Sequence, residues 1–219
     1  MYQLNQFLSV MRARGLPLKY VYDIGACSGQ WSTAVKQGSL TDSEFWLFEA
    51  NDNYTGILNE RGFPFYTSVL SNPGREYVDF YKKTNTGDSY YKETTTHFDN
   101  EVPTRLPCIT LDDLIERENI PVADFVKMDT QGSELDILAG ANKVLGKASM
   151  FYVECPIIKY NAGAPNISQY LEYFAEHNYV PIDIFEIHRA EDILIQIDIL
   201  FMKKDVKDVI LSPTKTLRF

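Results

Sequence analysis

The sequence predicts an α/β fold: a doubly wound, mostly parallel sheet with helices on both faces. Three observations point there. Short apolar runs alternate with segments of helical period along most of the chain. Residues 20–24 read as a buried strand, 25–29 as a turn of small residues and 28–37 as the start of a helix. That unit sets a helix N-terminus and free backbone N–H groups against a ligand, and glycine in the turn lets the backbone come close. Finally, several apolar runs end in a carboxylate, where a parallel sheet opens its ligand crevice.

Taken in order, residues 1–14 place Leu4, Phe7, Leu8 and Met11 on one helical face, closed by Gly15 and Pro17. Residues 45–49 are apolar up to Glu49, as in a strand covered on both faces. A helix follows over 52–61, ended by Gly62 and Pro64; residues 63–69 form a third strand and 76–82 an exposed one. Residues 84–103 are polar and aperiodic, and read either as a lid or as a surface insertion. After a strand at 105–109, Thr110 caps a helix and Asp113 answers it in a variant capping box, so Asp112 and Asp113 have structural work. Residues 124–129 form a strand ending in Asp129, and 134–145 one helix. Residues 149–154 form a strand ending in Glu154, and Ile167, Tyr170, Leu171 and Phe174 mark a further helix. Strands at 179–187 and 193–202, joined by a turn over 188–192, make a closing hairpin. No repeat or linker interrupts the 219 residues, so a single domain is expected.

Composition narrows the function. The formal net charge of −9 is poorly suited to gripping phosphate backbones, which disfavours nucleic acid as partner. Cys27, Cys108 and Cys155 are odd in number and widely spaced, as expected for reduced thiols in a cytoplasmic protein. The N-terminus lacks a signal-peptide pattern, and the most apolar late run, 193–201, is too short and too interrupted to span a bilayer. Two glycosylation sequons, at Asn53 and Asn166, are read as chance.

Four strands end in a carboxylate: Asp23, Glu49, Asp129 and Glu154. Unpaired buried acids are costly, so four at one sheet edge imply a polar ligand. Glu49, about two dozen residues after Gly25, is placed to accept both hydroxyls of a ribose, which implies an adenosine cofactor. The first turn chooses between candidates. A dinucleotide fingerprint requires glycine where this chain has Cys27 and Gln30, so NAD is disfavoured and S-adenosylmethionine favoured. Asp129 and Glu154 are the candidate bases; if their strands are neighbours, repulsion raises one pKa. No metal ligand set is read, because no histidine is placed in sequence to join them. His97 could be delivered by a lid, His188 could face the crevice or solvent, and His177 suits a helix C-terminus; a surface role is favoured for each. Cys27 is read as a small space-filling residue.

The segments 21–26, 48–51 and 110–114, and above all 124–141 (DFVKMDTQGSELDILAGA), resemble the FkbM family of class I methyltransferases over roughly residues 19–180. Gln131 departs from the glutamate that many members carry. The resemblance implies a Rossmann-like methyltransferase sheet of seven strands with one antiparallel strand, consistent with the hairpin, plus the N-terminal helix. It implies methylation of a hydroxyl on a small molecule or glycan, with S-adenosylmethionine as cofactor; charge and hydropathy have already spoken against nucleic acid and a membrane span, and a homo-oligomer is left open. By the same resemblance Asp23, Gly25, Ala26 and Gly29, with Ser28, line the methionine end. Glu49, with Ala50 and Asn51, holds the ribose; Ser68, Val69 and Leu70 lie near the adenine, Asp129 lies beside the sulfonium, and residues 85–89 lie near the pocket. Asp129 and Glu154 are the catalytic candidates. A non-catalytic binding module is the alternative, and an NAD-dependent oxidoreductase the lesser one. Tyr90, Tyr91 and Phe98 hint at stacking on a ring.

Overall fold

In the computed structural model, which describes residues 1–82, 87–95 and 102–211, the chain runs α1 (Tyr2–Ala13), β1 (Tyr20–Ile24), α2 (Gln30–Gly38), β2 (Glu44–Glu49), a 3-10 turn (Asp52–Tyr54), α3 (Thr55–Arg61), β3 (Phe65–Thr67), β4 (Val69–Leu70) and β5 (Tyr77–Phe80). It continues with β6 (Thr104–Ile109), α4 (Leu111–Arg117), β7 (Phe125–Met128), α5 (Glu134–Ala139), α6 (Asn142–Lys147), β8 (Met150–Pro156), α7 (Ile167–Glu176), β9 (Tyr179–Ala190), β10 (Ile193–Lys203) and α8 (Lys204–Ile210). The main sheet has seven strands in the order β3-β2-β1-β7-β8-β10-β9. Its first five strands are parallel, and β10 runs antiparallel to both neighbours. The mostly parallel sheet with a C-terminal antiparallel hairpin is the architecture expected from the sequence.

Strand alternation divides the core in two. Tyr22, Ile24, Phe48, Val126, Met128, Phe151, Val153 and Phe201 point to one face and pack under α4–α7. Val21, Phe45, Leu47, Phe125, Met150, Tyr152 and Leu200 point to the other, against α1, α2 and α8. The same period of two carries Asp23, Glu49, Lys127, Asp129, Glu154 and Asp198 onto the second face, just beyond its apolar rows. The charged groups therefore emerge together at one end of the sheet.

Several local expectations are corrected. The predicted third strand splits: β3 pairs with β2, whereas Val69 and Leu70 pair with β6 in a separate three-stranded sheet, β4-β6-β5. The helix expected over 134–145 breaks at Gly140 and Ala141 into α5 and α6. A Cβ at Gly140 would meet the Ser71 carbonyl oxygen and the Thr110 side chain at 2.9 Å, so the chain turns there against its neighbours. The carboxylate of Asp112 caps the restart, accepting from Lys143 N at 3.1 Å, while Thr110 caps α4. The hairpin turn is shorter than predicted: β9 continues through His188 to Ala190, and the turn is Glu191-Asp192, both at positive φ. Helix α8 carried no periodic signal strong enough to be read in the sequence.

Candidate active site

A cavity of about 470 Å³ lies at the C-terminal ends of β1, β2, β7 and β8. That is within the size range of small-molecule and cofactor pockets, roughly 300–1,000 Å³. Of the residues expected at a cofactor site, Gly25, Glu49, Ala50, Ser68, Val69, Asp129 and Glu154 line it, as does Leu70. Asp23, Ala26, Ser28, Gly29 and Asn51 are not part of that lining. Asn85, Thr86, His97 and Phe98 lie outside the described residues.

The first turn is shaped by alternating left-handed residues: Gly25, Cys27 and Gly29 have φ of 74°, 49° and 69°. The glycines serve packing. A Cβ on Gly25 would lie 1.9 Å from the Asp129 carbonyl oxygen, and one on Gly29 about 3.2 Å from Leu58. These glycines permit close approach of β1 to the end of β7 and of α2 to α3, and Gly25 lines the cavity as well. Cys27 also lines the cavity. Its backbone N–H donates to Glu49 Oε2 at 2.6 Å, and Asn51 N–H donates to Oε1 at 2.7 Å. Both oxygens of Glu49 are thereby fixed, with their remaining lone pairs available at the cavity wall. Burial raises this carboxyl to about 7, and the two N–H donors oppose the rise only in part.

Asp23 lies beneath the turn, fully buried. Ser32 Oγ donates to it at 2.7 Å, and Lys127 Nζ sits 3.2 Å from its other oxygen. Lys127 also donates to the Gly25 carbonyl at 2.9 Å and lies 3.6 Å from Asp129 Oδ2. Burial pushes the lysine down, but the two aspartates outweigh it and hold the ammonium charged above its usual range. This cation, invisible as a site residue in the sequence, joins β1 to β7 and neutralises the middle of the acid cluster.

Asp129 follows β7, Glu154 lies two residues before the end of the neighbouring β8, and one side chain bridges them. Gln131 Nε2 donates to Asp129 Oδ1 at 3.0 Å and to Glu154 Oε1 at 2.8 Å. Gln131 is held at a left-handed φ of 55°, with its carbonyl accepting from Ser89 Oγ and Asn161 Nδ2. Asp129 opens onto the cavity, its side chain 40% exposed, while the protein encloses its other sides. That enclosure favours the neutral acid, but Lys127 and the Gln131 amide overcome it and keep Asp129 below the usual carboxylate range. Glu154 goes the other way: burial first, then the charges of Asp129 and Asp198, push it well above the range. Of the two carboxyl groups, Glu154 therefore has the higher proton affinity.

The turn that carries Gln131 is clamped from below by Glu134, which accepts from Thr130 N at 2.7 Å, from Gly132 N at 3.1 Å and from Tyr170 Oη at 2.5 Å. From above, residues 87–95 lie along the cavity. Asn51 Nδ2 donates to Asp88 Oδ2, and the hydroxyls of Tyr90 and Tyr91 both donate to Asp136 Oδ2, which also takes Arg75 at 2.9 Å. Gly87, Asp88, Tyr90 and Glu93 contribute to the lining. His188 and Gln196, from the hairpin, complete the wall beyond Glu154. His177 instead stacks on Tyr173 at the end of α7, away from the cavity.

The Methyltransferase FkbM domain family matches residues 23–181. No curated protein matches the sequence. Among solved structures, magnesium protoporphyrin IX methyltransferase from Synechocystis PCC 6803 with bound SAM is similar at a TM-score of 0.52 and 9% identity, over 92% of this chain and 78% of that one. The same enzyme with bound SAH gives a TM-score of 0.51 at 9% identity, over 92% and 82%. At these identities the likeness is one of fold.

Proposed function

The chain belongs to the FkbM methyltransferase domain family, and from that premise we propose that it is an S-adenosylmethionine-dependent O-methyltransferase acting on a hydroxyl of a small molecule or glycan. The residues present fit the cofactor. Glu49 is a buried carboxylate fixed by two backbone donors, with lone pairs left over for a ribose diol. Val69, Leu70 and Phe80 offer apolar surface for a purine, and Gly25, Cys27 and Asp129 form the wall for the amino-acid end. When bound, the sulfonium supplies an electrophilic methyl group.

The chain's own work is alignment, charge and a proton. Holding an acceptor oxygen in line is worth about 7–11 kcal/mol. Asp129, kept ionised by Lys127, supplies negative charge to a cationic donor. Glu154, once deprotonated, is the better base of the pair, because its environment favours the protonated form. Its carboxylate would take the acceptor's hydroxyl proton, and the methyl group would come from the bound sulfonium, whose bond to that carbon breaks to leave a neutral thioether. The observation that carries this reading is the Asp129–Gln131–Glu154 bridge, which fixes two carboxyl groups of opposite proton affinity against one cavity wall.

The test is a panel of hydroxyl acceptors assayed with isotopically labelled methyl donor. The expected product is a methyl ether. The rate should rise with pH along a limb displaced above the ordinary glutamate range, and Glu154→Gln should remove that limb and lower kcat about a hundred- to ten-thousand-fold. Label transferred to nitrogen or carbon, or an unchanged profile in Glu154→Gln, would contradict it.

A further inference from the structure

Three carboxylates stand in direct register across β8, β10 and β9. Asp198 faces Glu154 on one side and Glu186 on the other. Like charges directly opposite one another on a sheet are destabilising, so such a row needs a positive partner. Asp129 has Lys127, and Glu154 accepts from the Gln131 amide. The outer pair meets His188, which stands diagonal to it on β9. His188 Nε2 lies 3.9 Å from Glu186 Oε2 and 3.8 Å from Asp198 Oδ1, and one ligand atom from each of the three residues falls within 4.8 Å of the others. The other oxygen of Glu186 is turned to the N-terminal ammonium at 3.4 Å.

A second observation comes from behind the cluster. Tyr152 is 2% exposed, and the charges of Asp198 and Glu186 act directly on its phenol. The Tyr152 hydroxyl and Asp198 are each other's polar partners, and neither the hydroxyl nor Asp198 Oδ1 makes a hydrogen bond to any other described residue. Beyond that mutual contact, the buried Asp198 oxygen has the His188 imidazole 3.8 Å away.

We propose that Glu186, His188 and Asp198 bind one divalent first-row cation, of the zinc or manganese kind, at the hairpin wall of the cavity. One imidazole and two carboxylates suit such ions better than magnesium or calcium, which favour oxygen alone. Metal–ligand bonds of roughly 2.0–2.2 Å require these donors to close by only a few tenths of an ångström. All three residues are partly exposed, which leaves side-chain freedom for that movement. Three protein ligands leave at least one open position, and His188 itself lines the cavity. The ion's role there, which rests on the methyl-transfer reading above, is to bind the acceptor oxygen and lower its pKa, with Glu154 one strand away to receive the proton.

The experiment titrates untagged, chelator-treated protein with Co²⁺ followed by visible ligand-field absorption, in the wild type, H188Q, D198N and H177Q. One saturable equivalent is expected in the wild type and H177Q, weakened at least about tenfold in both H188Q and D198N. No saturable site in the wild type, or wild-type affinity in both site variants, overturns the proposal. S-adenosylmethionine binding is measured in parallel on the same metal-free samples. Cofactor binding together with no saturable Co²⁺ site sinks the metal site and leaves the methyltransferase reading standing; a saturable Co²⁺ site in protein that binds no cofactor does the reverse.

Discussion

Lys127 shows what a single buried residue does at this sheet edge. It is the one cation in contact with Asp23 among the described residues, and Asp23 is fully buried. Removing the partner of a buried charge costs about 3–5 kcal/mol, so Lys127→Ala should lower the unfolding free energy by that much in denaturant titration. Little of this was legible. Lys127 sits mid-strand between apolar residues, where alternation assigns it to a buried face without naming its partner. Asp23 read as a cofactor ligand because acids at strand ends point to the crevice, but its side chain is turned under the loop. Gln131 was noticed only as a departure from the family; its bridging role depends on a left-handed backbone that no pattern announces. Replacing it by alanine removes donors to both carboxylates, and kcat should fall more than cofactor affinity when the two are measured together.

At the level of elements, the turns carry the local constraints. Gly25→Ala adds a Cβ at a φ of 74° and 1.9 Å from the Asp129 carbonyl oxygen. Left-handed strain alone costs about 1–2 kcal/mol, and the clash moves β1 away from β7. Both a lower melting temperature and weaker cofactor binding are expected, read by scanning calorimetry and titration. The hairpin offers the opposite case. Glu191 and Asp192 occupy positions that Asn-Gly satisfies better, so the double replacement should stabilise the protein by about 1 kcal/mol. Of the elements with a long apolar period, α1 was legible nearly to the residue, and α7 was legible as a helix through its apolar positions. The break between α5 and α6 and the split of β3 from β4 were not. Their causes lie in contacts with Ser71, Thr110 and β6, which sequence periodicity does not record.

Over the whole molecule, the sheet gathers acids from distant parts of the chain into one row. The mostly parallel sheet and the acids at its strand ends were readable; that Asp198 and Glu186 extend the row, and that His188 joins it, required the antiparallel register of β10. The row sets how stability depends on pH. Glu49 rises from 4.5 to about 7 and Asp198 from 3.8 to about 6, burial being the first cause in each. Folding therefore favours their protonated forms. Their contribution is fully present below the unfolded-state values and is lost as pH rises through about 6 to 7. Melting temperature of the ligand-free protein should fall between about pH 5 and about pH 8, and more shallowly in Glu49→Gln. A slope unchanged by that replacement would remove Glu49 from this account.

The most direct test of the central claim is calorimetric titration with S-adenosylmethionine and, separately, NAD, on the wild type and on Glu49→Ala. Saturable binding of S-adenosylmethionine alone is expected, weakened roughly ten- to a hundredfold in the variant by loss of hydrogen bonds to a charged group. Folded wild-type protein that binds NAD, or binds no S-adenosylmethionine, or a variant that binds it as tightly as the wild type, would contradict the assignment of this sheet edge as the cofactor site.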